Sequence, residues 1–194
     1  GVNWNARLMA LKVLNESGGG YISNFAKGVI YATNMGAKVS NNSYGGFFKD
    51  QELLGRTWYI PLADALKAAN DAGMIAVIAA GNSSTNLDDV SDIEGELSGN
   101  YPSDLEISNI ISVAATDADD QLAPFSNYGF ASVDIAAPGV GIYSTLPGNE
   151  YGLGSGTSMA APHVAGAAAL LLSKNPDLKP YEVRAILMKS GDPV

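Results

Sequence analysis

The chain has no cysteine, a single histidine and no apolar run long enough to cross a membrane. Without thiols it can form no disulfide and use no cysteine nucleophile. Basic residues are also scarce: 11 lysines and arginines stand against 20 acidic residues, giving a net charge of −9. Because phosphate backbones and anionic lipids repel an acidic surface, this charge argues against nucleic acid and against membrane as partners.

The residues that are present suit one globular domain. A length of 194 residues, 46% of them hydrophobic, suffices for a single sizeable core. The 22 glycines follow no period, so they indicate turns and close backbone approaches. Residue 1 is glycine, and no charged-then-apolar leader follows it. We therefore expect the chain to be part of a longer precursor.

Short apolar runs alternate with amphipathic segments along much of the chain. The predicted strands cover 8–14, 37–44, 74–80, 110–116, 133–136 and 141–146. The predicted helices cover 21–35, 62–72, 157–173 and 181–189. This order predicts right-handed βαβ units and hence an α/β fold, a three-layer, doubly wound and mostly parallel sheet with helices on both faces. In such a fold, ligands bind at the carboxyl ends of the strands.

A glycine-rich loop leads directly into an alanine-rich helix at Gly156-Thr157-Ser158. With Thr157 as the predicted N-cap, Ser158 lies in the first turn, where free backbone N–H groups could hold a developing oxyanion. Pro162 has no N–H, so the carbonyl of Ser158 loses its usual helical partner. His163 is five residues further on, which turns it about 140° away from Ser158. We therefore predict a structural role for this histidine.

Other motifs for this region fail on particular residues. A phosphate-binding Walker loop needs a lysine before the Ser or Thr, and the segment 152–157 has none. A lipase elbow needs Gly-x-Ser-x-Gly, but Ala160 occupies the last position. For an isolated Gly-Thr-Ser, an ordinary buried helix with a serine near its start remains the alternative.

The undecapeptide 156–166, GTSMAAPHVAG, resembles the nucleophile motif of the subtilases, the subtilisin-like serine proteases. The resemblance extends from residues 1–14 to the last helix. It implies a serine endopeptidase that forms an acyl-enzyme on Ser158. The string Ala79-Ala80-Gly81-Asn82 is similar to the family segment with the oxyanion-hole asparagine, so the resemblance assigns that role to Asn82, together with the Ser158 N–H.

The resemblance also implies where a peptide substrate would bind. One edge would be formed by Gly18, Gly19 and Gly20. The walls of the first specificity pocket would be Ser43, Tyr44 and Gly45 on one side and Ala79, Ala80 and Gly81 on the other. Since these walls carry no charge, we expect large apolar or aromatic side chains at P1, the substrate residue before the scissile bond. If the acidic loop at 88–96 approached the pocket, we would also expect a preference for Lys or Arg at P1.

Two members of the subtilase triad have no counterpart here. The family order is Asp, His, Ser, and the chain contains no Asp-Ser-Gly, Asp-Thr-Gly or His-Gly-Thr. We therefore expect residues 1–194 to be the C-terminal part of a peptidase domain. Its N-terminal strands, with the catalytic Asp and His, would be missing, and the chain alone would be inactive. The alternative is a non-catalytic subtilase-like binding or assembly domain; a phosphate-binding α/β domain is a distant third.

The resemblance finally implies partners and location. Partners would be polypeptide substrates, the missing N-terminal segment of the same domain, and a propeptide or protein inhibitor; the protein would be extracellular. No cofactor is required for the chemistry, but a structural calcium ion is conceivable, because hard cations bind clustered carboxylates. The densest acidic cluster is Asp88, Asp89, Asp92 and Glu94. A solvated acidic loop is the alternative interpretation of this cluster.

Overall fold

The computed structural model describes residues 2–49, 60–89 and 98–192. The elements in these ranges are, in chain order, α1 (Ile22–Asn34), β1 (Val39–Asn42), β2 (Gly46–Lys49), α2 (Ile60–Asp71), β3 (Ile75–Ala79), β4 (Ser98–Tyr101), β5 (Ile110–Thr116), β6 (Ile135–Pro138), β7 (Ile142–Leu146), β8 (Glu150–Gly154), α3 (Thr157–Lys174) and α4 (Pro180–Ser190).

Four parallel strands form the central sheet in the order β1–β3–β5–β6. Every residue of β3 and β5 is buried, which explains why both appear as continuous apolar runs in the sequence. Helices α1 and α2 pack on one face, against side chains such as Ala76 and Ile78. Helices α3 and α4 pack on the other, against Val77 and Val113. The predicted three-layer α/β fold is confirmed.

Two antiparallel ribbons lie outside this sheet. Of their four strands only β7 was predicted, at 141–146, and neither pairing was. Strand β2 pairs with β4, and β7 pairs with β8. Strand β4 has the sequence Ser-Gly-Asn-Tyr, without the apolar alternation that marks a strand. Its partner β2 is distant in sequence, so only the folded chain brings the two together. The β2–β4 ribbon matters for the site because it follows the carboxyl end of β1.

The predicted strand at 8–14 is wrong. Residues 6–13 pair with no strand in the described chain, and Leu8 is 94% exposed. Leu11, Val13 and Leu14 only pack partly against the core that lies under α1 and α2. An apolar run becomes a strand only where a neighbouring strand completes its hydrogen bonds. Within the described residues, β1 pairs only with β3, and no strand lies beyond it to receive residues 8–14.

Across residues 2–49, 60–89 and 98–192, no helix combines the length and the apolar character that spanning a membrane requires.

Candidate active site

The carboxyl ends of β1 and β3 meet the start of α3 around a cavity of about 470 Å³. Its lining includes Gly18, Gly19, Gly20, Ser43, Tyr44, Gly45, Ala79, Gly81, Asn82 and Ser158. The structure thus brings the predicted nucleophile, the predicted oxyanion donor and both predicted substrate edges to one cavity. Ala80 is the exception: it is fully buried and does not line the cavity.

Ser158 lies in the first turn of α3, whose N-cap is Gly156. Its N–H has no acceptor among the described residues, as expected for the second residue of a helix. Its carbonyl cannot receive an N–H from Pro162; instead the hydroxyl of Ser43 donates to it at 3.0 Å. A side chain from the predicted specificity wall therefore replaces the missing helical bond and ties the segment after β1 to the backbone of Ser158.

The side chain of Asn82 is held in one orientation by Thr157. Its Oδ1 accepts from the N–H of Thr157 at 2.9 Å and from the Thr157 hydroxyl at 3.0 Å. The same hydroxyl accepts from the N–H of Gly81 at 3.1 Å. With Oδ1 occupied, the Nδ2 group is left as a donor without a partner in the described chain.

The prediction of Thr157 as N-cap is therefore wrong. Thr157 is the first residue of α3 itself, and its buried side chain makes no capping bond but binds across to the end of β3. The sequence correctly predicted that a helix begins here. It did not predict which groups the Thr157 hydroxyl binds. A competing long-range acceptor, the amide of Asn82, outweighs the local cap.

Gly156 lets the two oxyanion donors approach each other. Its φ of +153° lies in a region that side chains disfavour. A Cβ here would stand 3.4 Å from Nδ2 of Asn82 and 3.7 Å from the backbone nitrogen of Ser158. Both unpartnered N–H donors thus flank one small space next to the serine, which is the arrangement that an oxyanion requires.

His163 is not bonded to Ser158. Its Nδ1–H donates to the carbonyl of Met159 at 2.9 Å, one turn back along α3. The hydroxyl of Ser158 makes no hydrogen bond within the described part of the chain. Among the described residues, the site therefore contains two unpartnered N–H donors and a serine hydroxyl, with no base in contact with the serine.

The predicted substrate edge at Tyr44 is held by ring stacking. The Tyr44 ring lies on Phe25 with centroids 4.0 Å apart and an angle of 10° between planes, and both residues line the cavity. Its hydroxyl donates to Oδ1 of Asn42 at 2.8 Å. Burial raises the pKa of Tyr44 well above its usual range, so this hydroxyl stays protonated.

The lining residues that sequence reasoning missed include Asn100 and Phe25. Asn100 comes from β4, which had no strand signal, and its Nδ2 donates to the carbonyl of Ala80 at 2.8 Å. Phe25 was counted only as an apolar position of α1. Nothing in the local sequence of either marks it as facing a site.

Asp88, in the predicted acidic cluster, binds backbone and not the cavity. Its carboxylate accepts from the N–H groups of Phe130, Ala131 and Ser132 and from the Ser132 hydroxyl at 2.7 Å. The Ser132 hydroxyl, followed by these backbone bonds, lowers the pKa of Asp88. Asp92 and Glu94 lie outside the described residues. Within those residues, no group of three acidic or histidine side chains fits a metal ion, so calcium stays a prediction.

Comparison with known proteins identifies the family. A family model described as the subtilase family matches residues 1–192. The chain belongs to the subtilase family. It is 41% identical over 184 residues to the alkaline protease of Alkalihalobacillus alcalophilus and 40% identical over 184 residues to Subtilisin Savinase of Lederbergia lenta. Each alignment covers 95% of the chain, but 42% and 60% of the relative.

A solved structure extends the likeness to three dimensions. A cold adapted subtilisin-like serine proteinase superposes with a TM-score of 0.80 at 32% identity, covering 97% of this chain and 62% of that one. The subtilase chain thus spans between 42% and 62% of the length of these relatives. Its family and fold are established; its activity is a matter for the site.

Proposed function

We propose that this subtilase chain serves as the nucleophile and oxyanion half of a serine endopeptidase. The observation that carries the proposal is the convergence of Asn82 Nδ2 and the Ser158 N–H beside the Ser158 hydroxyl. Both donors are unpartnered, and both stand where negative charge would develop on a carbonyl attacked by Ser158. The names of the relatives, which are proteases, support the same reaction class.

In the proposed reaction, Oγ of Ser158 attacks the scissile carbonyl carbon while a base takes its proton. The two N–H donors stabilise the resulting oxyanion. The tetrahedral intermediate then collapses, expels the amine, which takes a proton, and leaves an acyl group on Ser158. Water hydrolyses this ester and restores the serine. No cofactor takes part in these steps.

The substrate would be a polypeptide held in an extended conformation. Gly18–Gly20 and Ser43–Gly45 flank the cavity with backbone that a peptide could join as an added strand. Such pairing fixes the main chain without reading its sequence, which leaves selection to the pocket that receives the P1 side chain.

The base and its orienting acid would come from residues outside these 194. The chain has one histidine, and its ring is bonded to Met159. Without a base, a serine hydroxyl is a poor nucleophile at neutral pH, so we propose that the chain alone is inactive. The absence of a bonded base equally suits the second candidate, a binding or assembly domain that never cleaves.

The deciding experiment adds a subtilase segment carrying the aspartate and the histidine in trans, which gives the complemented chain. We expect peptide hydrolysis and phosphonate labelling of Ser158 only in the complemented chain. Ser158→Ala should abolish both, and Asn82→Ala should lower kcat by about 10²–10³, the range measured for this donor in subtilisin and taken over from it. Hydrolysis by the chain alone would contradict an external base. A complemented chain that binds peptides but neither cleaves them nor is labelled would favour the binding domain.

The remaining proposals concern the location of the protein and its binding partners. We propose an extracellular protein whose partners, besides substrates and the complementing segment, include a propeptide or protein inhibitor that occupies the same cavity. The net charge of −9 supports the exclusion of nucleic acid and of anionic membrane from this set.

A further inference from the structure

The loop that follows β3 contains Asn82, and the side chain of Asn127 holds this loop on both sides of that residue. The Nδ2 group of Asn127 donates to the carbonyl of Ala80 at 2.8 Å, before Asn82. Its Oδ1 accepts from the N–H of Ser83 at 2.9 Å and from the N–H of Thr85 at 3.2 Å, after Asn82. One side-chain amide therefore fixes the backbone on either side of the proposed oxyanion donor.

Asn127 is itself anchored to the central sheet. It is fully buried, and its own N–H donates to the carbonyl of Gly81 at 2.9 Å. A Cβ on Gly81 would collide with Nδ2 of Asn127, so the loop packs directly on this amide. The carbonyl of Asn127 accepts from the hydroxyl of Ser126, which in turn accepts from the N–H of Ala115 in β5, both at 2.9 Å. Hydrogen bonds thus link the centre of the sheet to the loop without interruption.

Asn82 depends on this support. In the described part of the chain, its backbone makes no hydrogen bond of its own. Thr157 orients its side-chain amide, but the place of that amide relative to the N–H of Ser158 depends on the loop backbone. Asn127 does not line the cavity, so it can act on a bound peptide only through Asn82.

We propose that Asn127 is a positioning residue of the oxyanion site, which sets where Nδ2 of Asn82 lies relative to the N–H of Ser158. This inference rests on the proposed function, since the oxyanion forms only if Ser158 attacks a carbonyl. An amide suits this position because it offers a donor to the backbone before Asn82 and an acceptor to the backbone after it. A side chain without these groups would release the loop and move the oxyanion donor.

The test is a double-mutant cycle between Asn127→Ala and Asn82→Ala in the complemented chain, with rates divided by the fraction of chain that phosphonate labels. Asn127→Ala alone should lower kcat by about ten- to hundredfold, because a misplacement of about 1 Å can cost about 10² in rate. KM should change by less than about twofold, since the oxyanion exists only in the transition state. In the Asn82→Ala background the same substitution should lower kcat by less than about twofold, because no donor remains to be misplaced.

Asn109→Ala is the matched control. Asn109 is also a fully buried asparagine, and its Nδ2 donates to the carbonyl of Met74 at 2.8 Å, just before β3 begins. It therefore supports the same strand at the end away from the cavity. This variant should lower the urea midpoint of unfolding but leave kcat within about twofold of the wild type.

If Asn127→Ala does not fold, Asn127→Asp takes its place in the cycle. The carboxylate keeps an acceptor for the N–H groups of Ser83 and Thr85 and loses only the donor. The carbonyl of Ala80 then retains the Nδ2 of Asn100 as a donor, at 2.8 Å. In the wild type, hydrogen exchange tests the same bonds without a variant: we expect both N–H groups to exchange more than about tenfold slower than unprotected amides.

The outcomes separate this inference from the proposed function. An active complemented chain in which Asn127→Ala lowers kcat equally in both backgrounds would overturn the inference alone, because the residue would then act on the fold and not through Asn82. A rise in KM at constant kcat would do the same, as would exchange of the Ser83 and Thr85 N–H groups at the unprotected rate. A complemented wild type that cleaves no peptide would overturn the proposed function, and this inference with it.

Discussion

At the scale of single residues, the site depends on one hydroxyl that two elements share. Thr157 binds both the N–H of Gly81 and the Oδ1 of Asn82, so it fixes the end of β3 against the start of α3. The second bond decides which side of the Asn82 amide faces the cavity. The residue before the nucleophile thereby orients the proposed oxyanion donor without touching substrate.

Thr157→Val should lower kcat of the complemented chain by about five- to tenfold, the worth of one hydrogen bond. KM should change little, because the oxyanion exists only in the transition state. The bond from the Thr157 N–H to Asn82 remains and limits the loss. Thr157→Ser restores the hydroxyl and should recover most of the rate. A rise in KM at constant kcat would contradict this role.

Asp104 should make stability depend on pH. Burial raises its pKa from 3.8 to about 6, despite bonds from the N–H of Asn100 and the hydroxyl of Ser103. Between these values the folded state holds a proton that the unfolded state has released. The free energy of unfolding therefore falls as pH rises through this window, by about 1–2 kcal/mol after allowance for solvent screening, and stays reduced above it.

Asp104→Asn should remove that fall while keeping an oxygen to accept from Asn100. Denaturant unfolding at several pH values between 4 and 7 checks this. As pH rises, the free energy of unfolding of the variant should increase relative to that of the wild type. At pH 7 the variant should be the more stable protein. A constant difference between the two curves across this range would contradict the raised pKa.

At the scale of elements, one ion pair fastens α4 to the sheet. The carboxylate of Asp134, 4% exposed, accepts from Nε and Nη2 of Arg184 at 3.0 and 2.5 Å. Its other oxygen accepts from the N–H of Ser112, in β5, at 2.9 Å. Asp134 thus links the last helix to the centre of the sheet.

Arg184→Met should destabilise the fold by about 2–4 kcal/mol, because it leaves a buried carboxylate without its cation. We expect the lower part of that range, since Arg184 is partly exposed. Lys189→Met, on an exposed position of the same helix, should change the free energy of unfolding by less than about 0.5 kcal/mol. Equal effects of the two variants in urea unfolding would rule out a special role for the pair.

The strands differ in how far the sequence could predict them. Strands β3 and β5 were found because burial on both faces makes them continuous apolar runs. Residues 8–14 show the same pattern and are no strand, since pairing depends on a neighbour that local sequence does not describe. Strand β4 was not predicted, because it lacks the apolar alternation by which a strand is recognised in a sequence. Its pairing with β2 does not require apolar residues.

The candidate site, like the fold, could be predicted from the sequence only in part. Ser158 and Asn82 were predicted from their motifs, and the structure brings them to one cavity. The bonds that position them, from Thr157 and Ser43, and the contact of Asn100 with the cavity join segments far apart in the chain. No local spacing encodes such contacts, so only the folded structure could supply them.

At the scale of the whole molecule, the described part of the chain has an unpaired sheet edge, because β1 ends the sheet beyond β3. In the first segment of the chain, the side chains of Trp4 and Leu8 are 89% and 94% exposed. Unpaired edges and exposed apolar side chains recruit other chains. The net charge of −9 opposes this association only weakly at physiological ionic strength, because salt screens repulsion between exposed charges over about 10 Å.

We therefore expect residues 1–194 alone to self-associate with rising concentration in sedimentation experiments. The complementing segment should restore a single compact species, because it would cover the β1 edge. Leu8→Lys should weaken association without altering the sheet, because the Leu8 side chain is 94% exposed. A chain that stays monomeric at every concentration would show that the edge is already protected.

The bond from Ser43 to the carbonyl of Ser158 limits how the pocket can be redesigned. Changing the wall at 43 would also loosen the backbone of the nucleophile, so selectivity gained there would be lost in rate. Changes of this wall that keep the hydroxyl at position 43 should therefore preserve the rate better than changes that remove it.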